Sequence, residues 1–557
     1  MNTVLTLLSA ELIRHYYAAA FWRNDTIYAL VRGHARRTPE AWAVRDTRRR
    51  VDYRELVDAA DRLAADLARR GLRDGERVCV WLPSRIECAV VLLACSRNGY
   101  ICCPSLHRDH TVGEILELLA RTRAAAVVVQ PGYGADADRR DLFSQLSTLD
   151  TLRHAYRLAP PRENATERLF ADADVSRPAA PAGSKQDPNQ IVYLAFTSGT
   201  TGMPKGVMHS DNTLLANARA MASDWNIGER SVVYALSPLS HNLGFGAMVM
   251  ALSAGAELVV HDLPKGQSVV DHVIETGTTF MVGVPTHAAD LLQEMRRRDL
   301  HRLGNLQGFR ISGAAASPEL VAGLIAHGVM PQSGYGMTES CSHQYTLPTD
   351  EPKRIVETSG RACANYEVRI FRRDDRDVEA PAGEVGEIGG RGASLMLGYF
   401  DDQRATEESF NAGGWFMTGD LGWLDADGYL HVTGRKKDVI VRGGHNIYPA
   451  RIEALASRHE AIERVAAVPV RDARLGEKVC LAVVCRGGRR LDPDALLSHL
   501  DAAGLSRYDM PEYLLELEHI PLTPSGKIRK RDLVEAIERG DMRPAPIRWQ
   551  KQGQAGR

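Results

Sequence analysis

The chain has 557 residues, which is longer than a single hydrophobic core usually supports, so we expect two or more domains. Its 69 basic and 70 acidic residues leave a net charge of −1, which gives no electrostatic footprint for nucleic acid or an acidic membrane surface. Hydrophobic residues make up 44% and charged residues 25%, which is typical of a globular protein. Any anion that this chain binds must therefore be held by local donors.

The N-terminal segment MNTVLTLLSAELIRHYY carries Glu11 and Arg14 inside its apolar stretch. This pattern favours an amphipathic helix over a signal peptide. Apolar runs such as 86–95 are too short to span a bilayer, so we predict a soluble, cytoplasmic protein without a membrane span. The nine cysteines include no CxxC pair and lie mostly in apolar runs, which predicts buried thiols rather than a zinc site or a disulfide framework.

Segments with the pattern of strands alternate with segments of helical spacing through most of the chain before the motif at 434–438. Strands are predicted at 77–82, 124–130 and Ile191–Phe196, and helices at 53–70, 111–123 and 211–224. A linker rich in proline and alanine, 176–190, leads into the third of these strands. Such alternation predicts parallel sheets with helices packed on them.

The pattern changes after GRKKD (434–438). A helix is predicted at 449–458, strands at 465–470 and 479–484, and a further helix at 492–503. These elements form a compact unit that is long enough to be a domain. We therefore predict an α/β protein with a large domain of parallel-rich sheets flanked by helices, 1–436, and a small mobile α+β domain, 437–557. The last stretch, 541–557, is predicted to be loosely ordered.

The segment TSGTTGMPKG (197–206) follows a predicted strand and precedes a predicted helix. Its glycines allow backbone N–H groups to approach phosphate oxygens, its hydroxyls add donors, and Lys205 adds a positive charge. Because Lys205 is followed by Gly206, the segment does not match the Walker A loop. A short loop of this composition is usually a flexible surface loop. The strand before it and the terminal Pro-Lys-Gly favour a phosphate loop instead.

Six motifs in a fixed order carry a specific resemblance. They are TSGTTGMPKG (197–206), PLSHNLGF (238–245), GYGMTES (334–340), GWFMTGDLG (414–422), GRKKDVIVRGGHNIYP (434–449) and PLTPSGKIRK (521–530). Together they resemble the adenylate-forming superfamily of acyl- and aryl-CoA ligases, peptide-synthetase adenylation domains and luciferase. The resemblance runs from about Thr38 onward. It implies an AMP-forming acid–thiol ligase that uses ATP, Mg²⁺ and CoA.

The resemblance implies a nucleotide site assembled from several of these motifs. The contacts that it implies with ATP or AMP are Thr197, Ser198, Gly199, Thr200, Thr201, Gly202, Lys205, Gly313, Ala314, Tyr335, Gly336, Met337, Thr338, Asp420 and Arg435. Tyr335 is expected to stack on the adenine. Asp420 is expected to accept hydrogen bonds from the ribose hydroxyls, a task for which a carboxylate is suited.

Three residues are implied to act on the reacting atoms. Glu339 is expected to bind Mg²⁺, Lys527 to neutralise charge on the triphosphate, and His241 to stand as a gate beside the reacting carboxylate. Two of them also have an ordinary interpretation: His241 as a core histidine, and Lys527 as part of the basic run 527–531. For transfer to CoA, the resemblance implies a hinge at Lys437 and a tunnel for pantetheine at Gly443 and Gly444.

The residues that match the family's acyl pocket are small, apolar or neutral and polar. They are Asn242, Leu243, Val282, Ser312, Gly334, Met337 and Cys341. None would pair with a second charge, and glycines at 334 and 336 are expected to leave room for a compact ring. A free amino acid is disfavoured, because His241-Asn242-Leu243 lacks the aspartate that amino-acid-activating domains usually carry. We predict that the substrate is a cyclic, alicyclic or aromatic monocarboxylate, or an acid with a short-to-medium acyl chain. The sequence of residues 95–107 resembles that of bacterial cyclohexanecarboxylate–CoA ligases.

Two other functions stay open from the sequence. One is a stand-alone adenylation enzyme that loads an acyl or aryl acid onto a carrier protein. The other is a non-catalytic nucleotide-binding relative. Against it argues the joint presence of Thr197, Lys205, Glu339, Asp420 and Lys527. The predicted partners are a small carboxylic acid, ATP and CoA, with a homodimer as a candidate assembly and no nucleic acid.

Overall fold

The structure is a computed structural model that describes residues 6–161, 169–170, 187–197, 204–313, 316–443, 445–522 and 528–548. The chain divides into two compact units. The first comprises Met1–Val368, Gly390–Phe416 and Gly428–Leu430, and the second comprises Arg369–Gly389, Met417–Asp427 and His431–Arg557. The second unit thus includes two stretches that precede the motif at 434–438. The domain boundary and hinge at Lys437 stay a prediction.

Helices account for much of the first unit and for three elements of the second. Those of the described residues are Ala10–Ala18, Ile27–Arg37, Tyr53–Arg69, Ile86–Asn98, Val112–Arg121, Asp211–Asp224, Asn242–Ala254, Val269–Thr276, Pro285–Arg297, Pro318–Ala326, Pro352–Glu357, Gln403–Glu408, Pro449–Ala456, Pro493–Ala502 and Lys530–Glu538. Short 3₁₀ turns lie at Leu146–Thr148, Lys436–Asp438 and Arg486–Gly488.

The largest sheet has nine strands and a parallel centre. In spatial order its strands are Arg361–Ala362, Cys341–Tyr345, Met330–Met337, Gly308–Ser312, Phe280–Gly283, Val232–Ala235, Glu257–Val260, Trp42–Arg45 and Arg50–Asp52. The six strands from Met330–Met337 to Trp42–Arg45 pair in parallel, and antiparallel strands close both edges. A parallel centre of this kind is normally covered by helices on both faces.

The other sheet of parallel character has seven strands. In spatial order they are Gly398–Tyr399, Gly206–Ser210, Ile191–Phe196, Ile101–Cys103, Arg77–Trp81, Ala124–Val129 and His154–Arg157. The strand Ile191–Phe196 turns back into Gly206–Ser210 as an antiparallel pair. A four-stranded sheet follows in the order Tyr366–Phe371, Gly386–Gly392, Phe416–Leu424 and Leu430–Arg435.

The second unit has its own sheet and core. Its strands run in the order His445–Ile447, Ile440–Arg442, Gly476–Cys485, Tyr513–Glu516 and Ala545–Pro546, with Ile462–Asp472 also paired to Gly476–Cys485. Alternate residues of the long hairpin contribute to two hydrophobic clusters, one containing Ala467 and Leu481 and the other Val468 and Cys480. This alternation is what a sheet covered on both faces requires.

The nine-stranded sheet separates two hydrophobic clusters, and this division positions the site. Val282 and Ala235 belong to one cluster, whereas their neighbours Met281 and Leu236 belong to the other. Side chains alternate between the two faces of a strand, so residues paired across strands share a face. The helix Asn242–Ala254 contributes buried residues to the cluster of Val282 and therefore covers that face.

The predicted elements agree with the structure at most positions. The strand at Ile191–Phe196 and the helix at 211–224 occur as predicted, the latter beginning after the capping box formed by Ser210 and Thr213. The N-terminal helix is confirmed as Ala10–Ala18, which Ser9 caps. The expectation of loose order at 541–557 is wrong for Ala545–Pro546, which pairs with Tyr513 and Leu514; residues 549–557 lie outside the described ranges.

The cysteines are free thiols and eight of the nine are buried, as predicted, with Cys485 half-buried. Burial raises the pKa of Cys88 and of Cys341 to about 12, so these thiols are protonated at neutral pH. Among the residues that the structure describes, every helix is too short or too polar to cross a bilayer.

Candidate active site

Glu339 and Lys205 both contact Tyr399. The phenol of Tyr399 donates a hydrogen bond to Oε1 of Glu339 over 2.9 Å, and Nζ of Lys205 lies 4.7 Å from the centroid of the Tyr399 ring. Glu339 is 8% exposed, and its carbonyl accepts a hydrogen bond from the backbone N–H of Met396. Burial, followed by the Glu339 carboxylate, raises the pKa of Tyr399, so the phenol keeps its proton. The Glu339 carboxylate and the Lys205 ammonium, which are predicted from separate motifs, thus both contact Tyr399.

The loop predicted to hold phosphates joins two neighbouring antiparallel strands. At its base, the N–H of Thr197 donates to the carbonyl of Lys205 over 3.0 Å, and the N–H of Phe400 donates to the carbonyl of Gly206. Ser198, Gly199, Thr200, Thr201 and Gly202 lie outside the described residues, as does Ala314. The strand Gly206–Ser210 lies between this loop and the helix Asp211–Asp224, which begins where it is predicted.

A buried histidine holds the position of Thr338. Nε2 of His209 lies 2.7 Å from the carbonyl oxygen of Thr338, and Nδ1 lies 3.0 Å from the hydroxyl of Thr213. Burial lowers the pKa of His209 to about 4, so the ring is neutral, and Nε2 carries the proton because a carbonyl can only accept. This contact fixes the backbone one residue before Glu339. His209 is not predicted as a site residue, because its position in the strand Gly206–Ser210 offers no catalytic pattern.

His241 rests on a second imidazole. It precedes the helix Asn242–Ala254, and its ring stacks on His107 with 4.1 Å between centroids and 15° between planes. Nδ1 of His107 lies 3.0 Å from the hydroxyl of Ser240. Burial, with the nearby rings of His241 and His110, holds the pKa of His107 well below its usual value. His241, the predicted gate residue, therefore stacks on the buried, neutral ring of His107, a residue that was not predicted for the site.

Several residues predicted for the acyl pocket share one face of the nine-stranded sheet. Val282 pairs with Arg310, and Ser312, two residues further along the same strand, pairs with Gly334. Nδ2 of Asn242 donates to the carbonyl of Met337 over 3.3 Å, which ties the covering helix to the strand beneath it. Asn242, Leu243, Gly334 and Met337 are half-buried, whereas Val282, Ser312 and Cys341 are buried. The fold thus brings the predicted pocket residues together around the end of this strand.

The two glycines of this region do not leave room for a ring, contrary to the expectation from sequence. A Cβ on Gly334 would lie 2.9 Å from Nη2 of Arg310, so the guanidinium already fills that space. A Cβ on Gly336 would lie 2.1 Å from the carbonyl oxygen of Cys341, where the hairpin turns tightly. The expectation that the predicted pocket residues have no cation beside them is also wrong. Arg310 is 1% exposed and lies on the same face of the sheet as Val282, with which it pairs.

Asp420 and Arg435 belong to the second unit and lie together. Nε of Arg435 is 3.3 Å from Oδ1 of Asp420, and the N–H of Asp420 donates to the hydroxyl of Thr418. Nearby, Lys436 forms an ion pair with Glu387 over 2.8 Å. Asp420 is 8% exposed, and its ion pair with Arg435 orients its carboxylate.

The remaining predicted residues lie in the last part of the second unit. Lys437 is exposed in a short 3₁₀ turn. Gly443 has a φ of +57°, a left-handed conformation that favours glycine, and its N–H donates to the carbonyl of Leu475. Gly444 and Lys527 lie outside the described residues. Leu522 and Ile528, on either side of the segment with Lys527, form an antiparallel bridge.

Comparison with known proteins gives consistent matches along the chain. The sequence profile of the AMP-binding enzyme family matches residues 31–400, and that of the AMP-binding enzyme C-terminal domain matches residues 451–527. A medium-chain fatty-acid–CoA ligase of Escherichia coli is 30% identical over 538 residues, which cover 95% of this chain and 94% of the relative. A salicyl-AMP ligase/salicyl-S-ArCP synthetase of Mycobacterium tuberculosis is 32% identical over 542 residues, with coverage of 95% and 94%.

A solved structure matches over almost its whole length. The crystal structure of ATP-bound MatB from Rhodopseudomonas palustris has a TM-score of 0.81 to this chain and is 26% identical. The match covers 92% of this chain and 99% of that chain. The large parallel-rich part and the small C-terminal part described above both fall within it.

Proposed function

This chain belongs to the AMP-binding enzyme family, and we propose that it joins a compact carboxylic acid to CoA through an acyl-AMP intermediate. It is an AMP-forming acid–thiol ligase with ATP and CoA as substrates and Mg²⁺ as cofactor. The observation that carries the proposal is the meeting of Glu339 and Lys205 at Tyr399, within the part of the chain that the family profile covers.

The first half-reaction is the transfer of AMP to the acid. A carboxylate oxygen of the substrate attacks the α-phosphorus of ATP in line, and the bond from that phosphorus to the bridging oxygen breaks. Pyrophosphate leaves with the electron pair, so no external acid or reductant is needed. Because the substrate carboxylate and the triphosphate are both anionic and repel each other, positioning and charge neutralisation supply most of the rate acceleration. We assign this work to the loop 197–206 with Lys205, and to Lys527.

Glu339 is suited to bind Mg²⁺. Its carboxylate is a hard oxygen donor, it is almost buried, and Tyr399 orients it through Oε1. Mg²⁺ is usually held by one or two carboxylates together with substrate phosphate oxygens rather than by a protein cage. Bound there, the ion would neutralise charge on the phosphate oxygens. Tyr399 and the backbone contact from His209 to Thr338 then keep the carboxylate in one orientation.

The second half-reaction is the transfer of the acyl group. The CoA thiolate attacks the acyl carbon, the bond from that carbon to the phosphate oxygen breaks, and AMP leaves. We propose that Asp420, assisted by Arg435, binds the ribose, and that Gly443 and Gly444 line the passage for pantetheine. Lys437 would act as the hinge that exchanges Lys527 for this passage, since a hinge needs only a residue that tolerates a backbone change.

We propose a compact acyl group, on a cyclic or aromatic frame such as that of cyclohexanecarboxylate. Buried Val282 and Cys341, together with the half-buried Leu243 and Asn242, support a pocket of limited size. The stacked rings of His241 and His107 flank the helix Asn242–Ala254 that covers it. His241 would stand beside the reacting carboxylate, and His107 would keep its ring in place.

One relative supports a second candidate for the acceptor of the acyl group. The salicyl-AMP ligase/salicyl-S-ArCP synthetase is 32% identical to this chain, and its name specifies transfer to a carrier protein. The candidate alternative is therefore an adenylation enzyme that loads a carrier-protein thiol. Supplying either CoA or a holo-carrier protein, and measuring thioester formation, separates the two acceptors. The homodimer and the cytoplasmic location stay predictions, checked by light scattering and by fractionation.

The test of the proposed function is acid-dependent release of pyrophosphate from ATP. Purified protein is incubated with Mg²⁺-ATP and a panel of cyclic, aromatic and straight-chain acids, with and without CoA. We expect pyrophosphate with at least one acid, and AMP plus an acyl thioester only when CoA is present. Hydrolysis of ATP that no acid stimulates would overturn the proposal.

A further inference from the structure

Arg310 lies in the middle of the face that carries the acyl pocket. Its strand partners are Val282 on one side and Gln332 on the other, and all three side chains lie on the face that the helix Asn242–Ala254 covers. Arg310 is among the largest fully buried side chains of the described residues. Its guanidinium packs on the half-buried backbone of Gly334, one of the residues predicted for the pocket.

Among the residues that the structure describes, none neutralises the charge of Arg310. Within the described residues, its guanidinium donates one hydrogen bond, from Nη1 to Oε1 of Gln332 over 2.5 Å. Its central carbon also lies 5.7 Å from the centroid of the Tyr345 ring. No carboxylate of the described ranges forms an ion pair with it. Burial lowers the pKa of Arg310 to about 10, which still leaves it a cation at neutral pH. An unpaired buried charge is strongly destabilising, so an anion is expected to accompany it.

The unused donors have the geometry of a carboxylate site. Nε and Nη2 of Arg310 are both buried and have no hydrogen-bond partner in the described part of the chain, and the same holds for Nε2 of Gln332. Nε and Nη2 form one edge of the planar guanidinium, and this edge binds a carboxylate through two parallel N–H···O bonds. Nη2 is also the guanidinium atom nearest to the position of a Cβ on Gly334, which is half-buried.

We propose that the acid activated by this enzyme carries a second carboxylate, which the free edge of Arg310 and the amide of Gln332 bind beside Gly334. This inference rests on the proposed function and narrows its substrate class from a compact monocarboxylate to a compact dicarboxylate. The first carboxylate reacts with ATP, while the second remains as the group that Arg310 recognises. A side chain at position 334 would press on the guanidinium, because a Cβ there would lie 2.9 Å from Nη2.

The test compares acids in matched pairs. Cyclohexanecarboxylate is compared with trans-cyclohexane-1,4-dicarboxylate, benzoate with terephthalate, and hexanoate with adipate; 4-methyl- and 4-hydroxycyclohexanecarboxylate control for size and for a neutral acceptor. For wild-type protein we expect kcat/KM for pyrophosphate release to be at least about tenfold higher for a diacid than for its monoacid and both controls, because a buried site built for a polar group rejects analogues that lack it. The diacid should also raise the Tm.

Variants test the role of Arg310 itself. Arg310→Met should lower kcat/KM for the preferred diacid by about 100-fold, reverse the ranking of the pair and abolish the Tm shift with the diacid. Arg404→Met, a matched change at an exposed arginine, should leave the ranking as in wild type. If Arg310→Met does not fold, the wild-type ranking and the diacid-induced Tm shift decide.

Wild-type protein that uses every monoacid, or the 4-hydroxy acid, as well as the diacids would overturn the dicarboxylate assignment while leaving the ligase function intact. An equal loss with all acids in Arg310→Met would also overturn it, because a purely structural arginine gives that result. Failure of every acid in the panel would instead count against the proposed function.

Discussion

Tyr399 and Glu339 are sixty positions apart in sequence, and the phenol of the first donates a 2.9 Å hydrogen bond to the carboxylate of the second. The contact joins the short edge strand Gly398–Tyr399 to the segment that follows Met330–Met337. Because Lys205 lies over the same ring, Tyr399 is the common contact of the proposed metal ligand and the proposed phosphate-binding lysine.

Glu339→Gln should remove the charge that binds Mg²⁺ while keeping the size of the side chain. We expect acid-dependent pyrophosphate release to fall by about 10²–10³, the typical cost of one lost electrostatic contact in a transition state. The Mg²⁺ concentration for half-maximal rate should rise as well. The control is Glu357→Gln, an exposed glutamate of the same unit. Full activity in Glu339→Gln would rule out this role.

Tyr399→Phe removes only the hydroxyl that orients Glu339. Hydrogen bonds to charged groups contribute about 1.5–3 kcal/mol, so kcat should fall by about tenfold or more, while the ring that Lys205 contacts remains. The measurement is the steady-state rate of pyrophosphate release at saturating ATP. Tyr508→Phe, at a tyrosine that is 68% exposed, serves as the control and should behave as wild type. A Tyr399→Phe enzyme with unaltered kcat would show that Glu339 needs no such partner.

Lys527→Ala should separate the two half-reactions. We expect acyl-AMP formation to fall by at least about 10²-fold, because an ammonium at the triphosphate is lost. Conversion of supplied acyl-AMP and CoA to thioester should continue. Arg531→Ala is the control for a general effect of the basic tail, since Arg531 forms an exposed pair with Glu535 that contributes little. An equal fall of both steps would argue against alternation of the small domain.

Acid should destabilise the protein through its buried neutral histidines. Burial lowers the pKa of His209 and of His261 to about 4 and that of His343 to about 3, below the ordinary value of 6.5. Between pH 6.5 and these values the unfolded chain binds protons that the folded chain excludes, so stability is complete above pH 6.5 and falls as the pH is lowered. Each such histidine costs about 1.4 kcal/mol per pH unit in that window.

The check is the urea midpoint of unfolding at pH 7, 6 and 5. The midpoint should decrease at each step, and the decrease should be smaller in His209→Gln, which removes one of the titrating groups. His301→Gln, at an exposed histidine, should follow the wild-type slope. A midpoint that does not change between pH 7 and pH 5 would contradict this reading of the buried rings.

Local sequence signals were sufficient for much of the fold. The helix Asp211–Asp224 begins at a cap that can be read from Ser210 and Thr213, and the strand Ile191–Phe196 is a continuous apolar run. Neither requires knowledge of distant contacts. The short pairing of Ala545–Pro546 with Tyr513 and Leu514 does require it, which is why the tail was predicted to be loosely ordered.

In the site, too, some residues can be predicted from local sequence and others depend on distant contacts. Motifs identified Glu339, His241 and Lys205, but Arg310 and His209 lie in strands with no distinguishing pattern. Arg310 becomes part of the pocket only through its pairing with Val282 and Gln332, and register across a parallel sheet cannot be read from one strand. The glycine at 334 was misread for a related reason: whether a missing side chain leaves space depends on which neighbour fills it.

The most direct measurement of the central claim is exchange of labelled pyrophosphate into ATP without CoA, because it reports reversible acyl-AMP formation alone. With Mg²⁺ and a suitable acid, we expect exchange that depends on the acid, falls by about 10²–10³ in Glu339→Gln and persists in Arg404→Met. Absence of exchange with every acid, or exchange that Glu339→Gln leaves intact, would contradict the account.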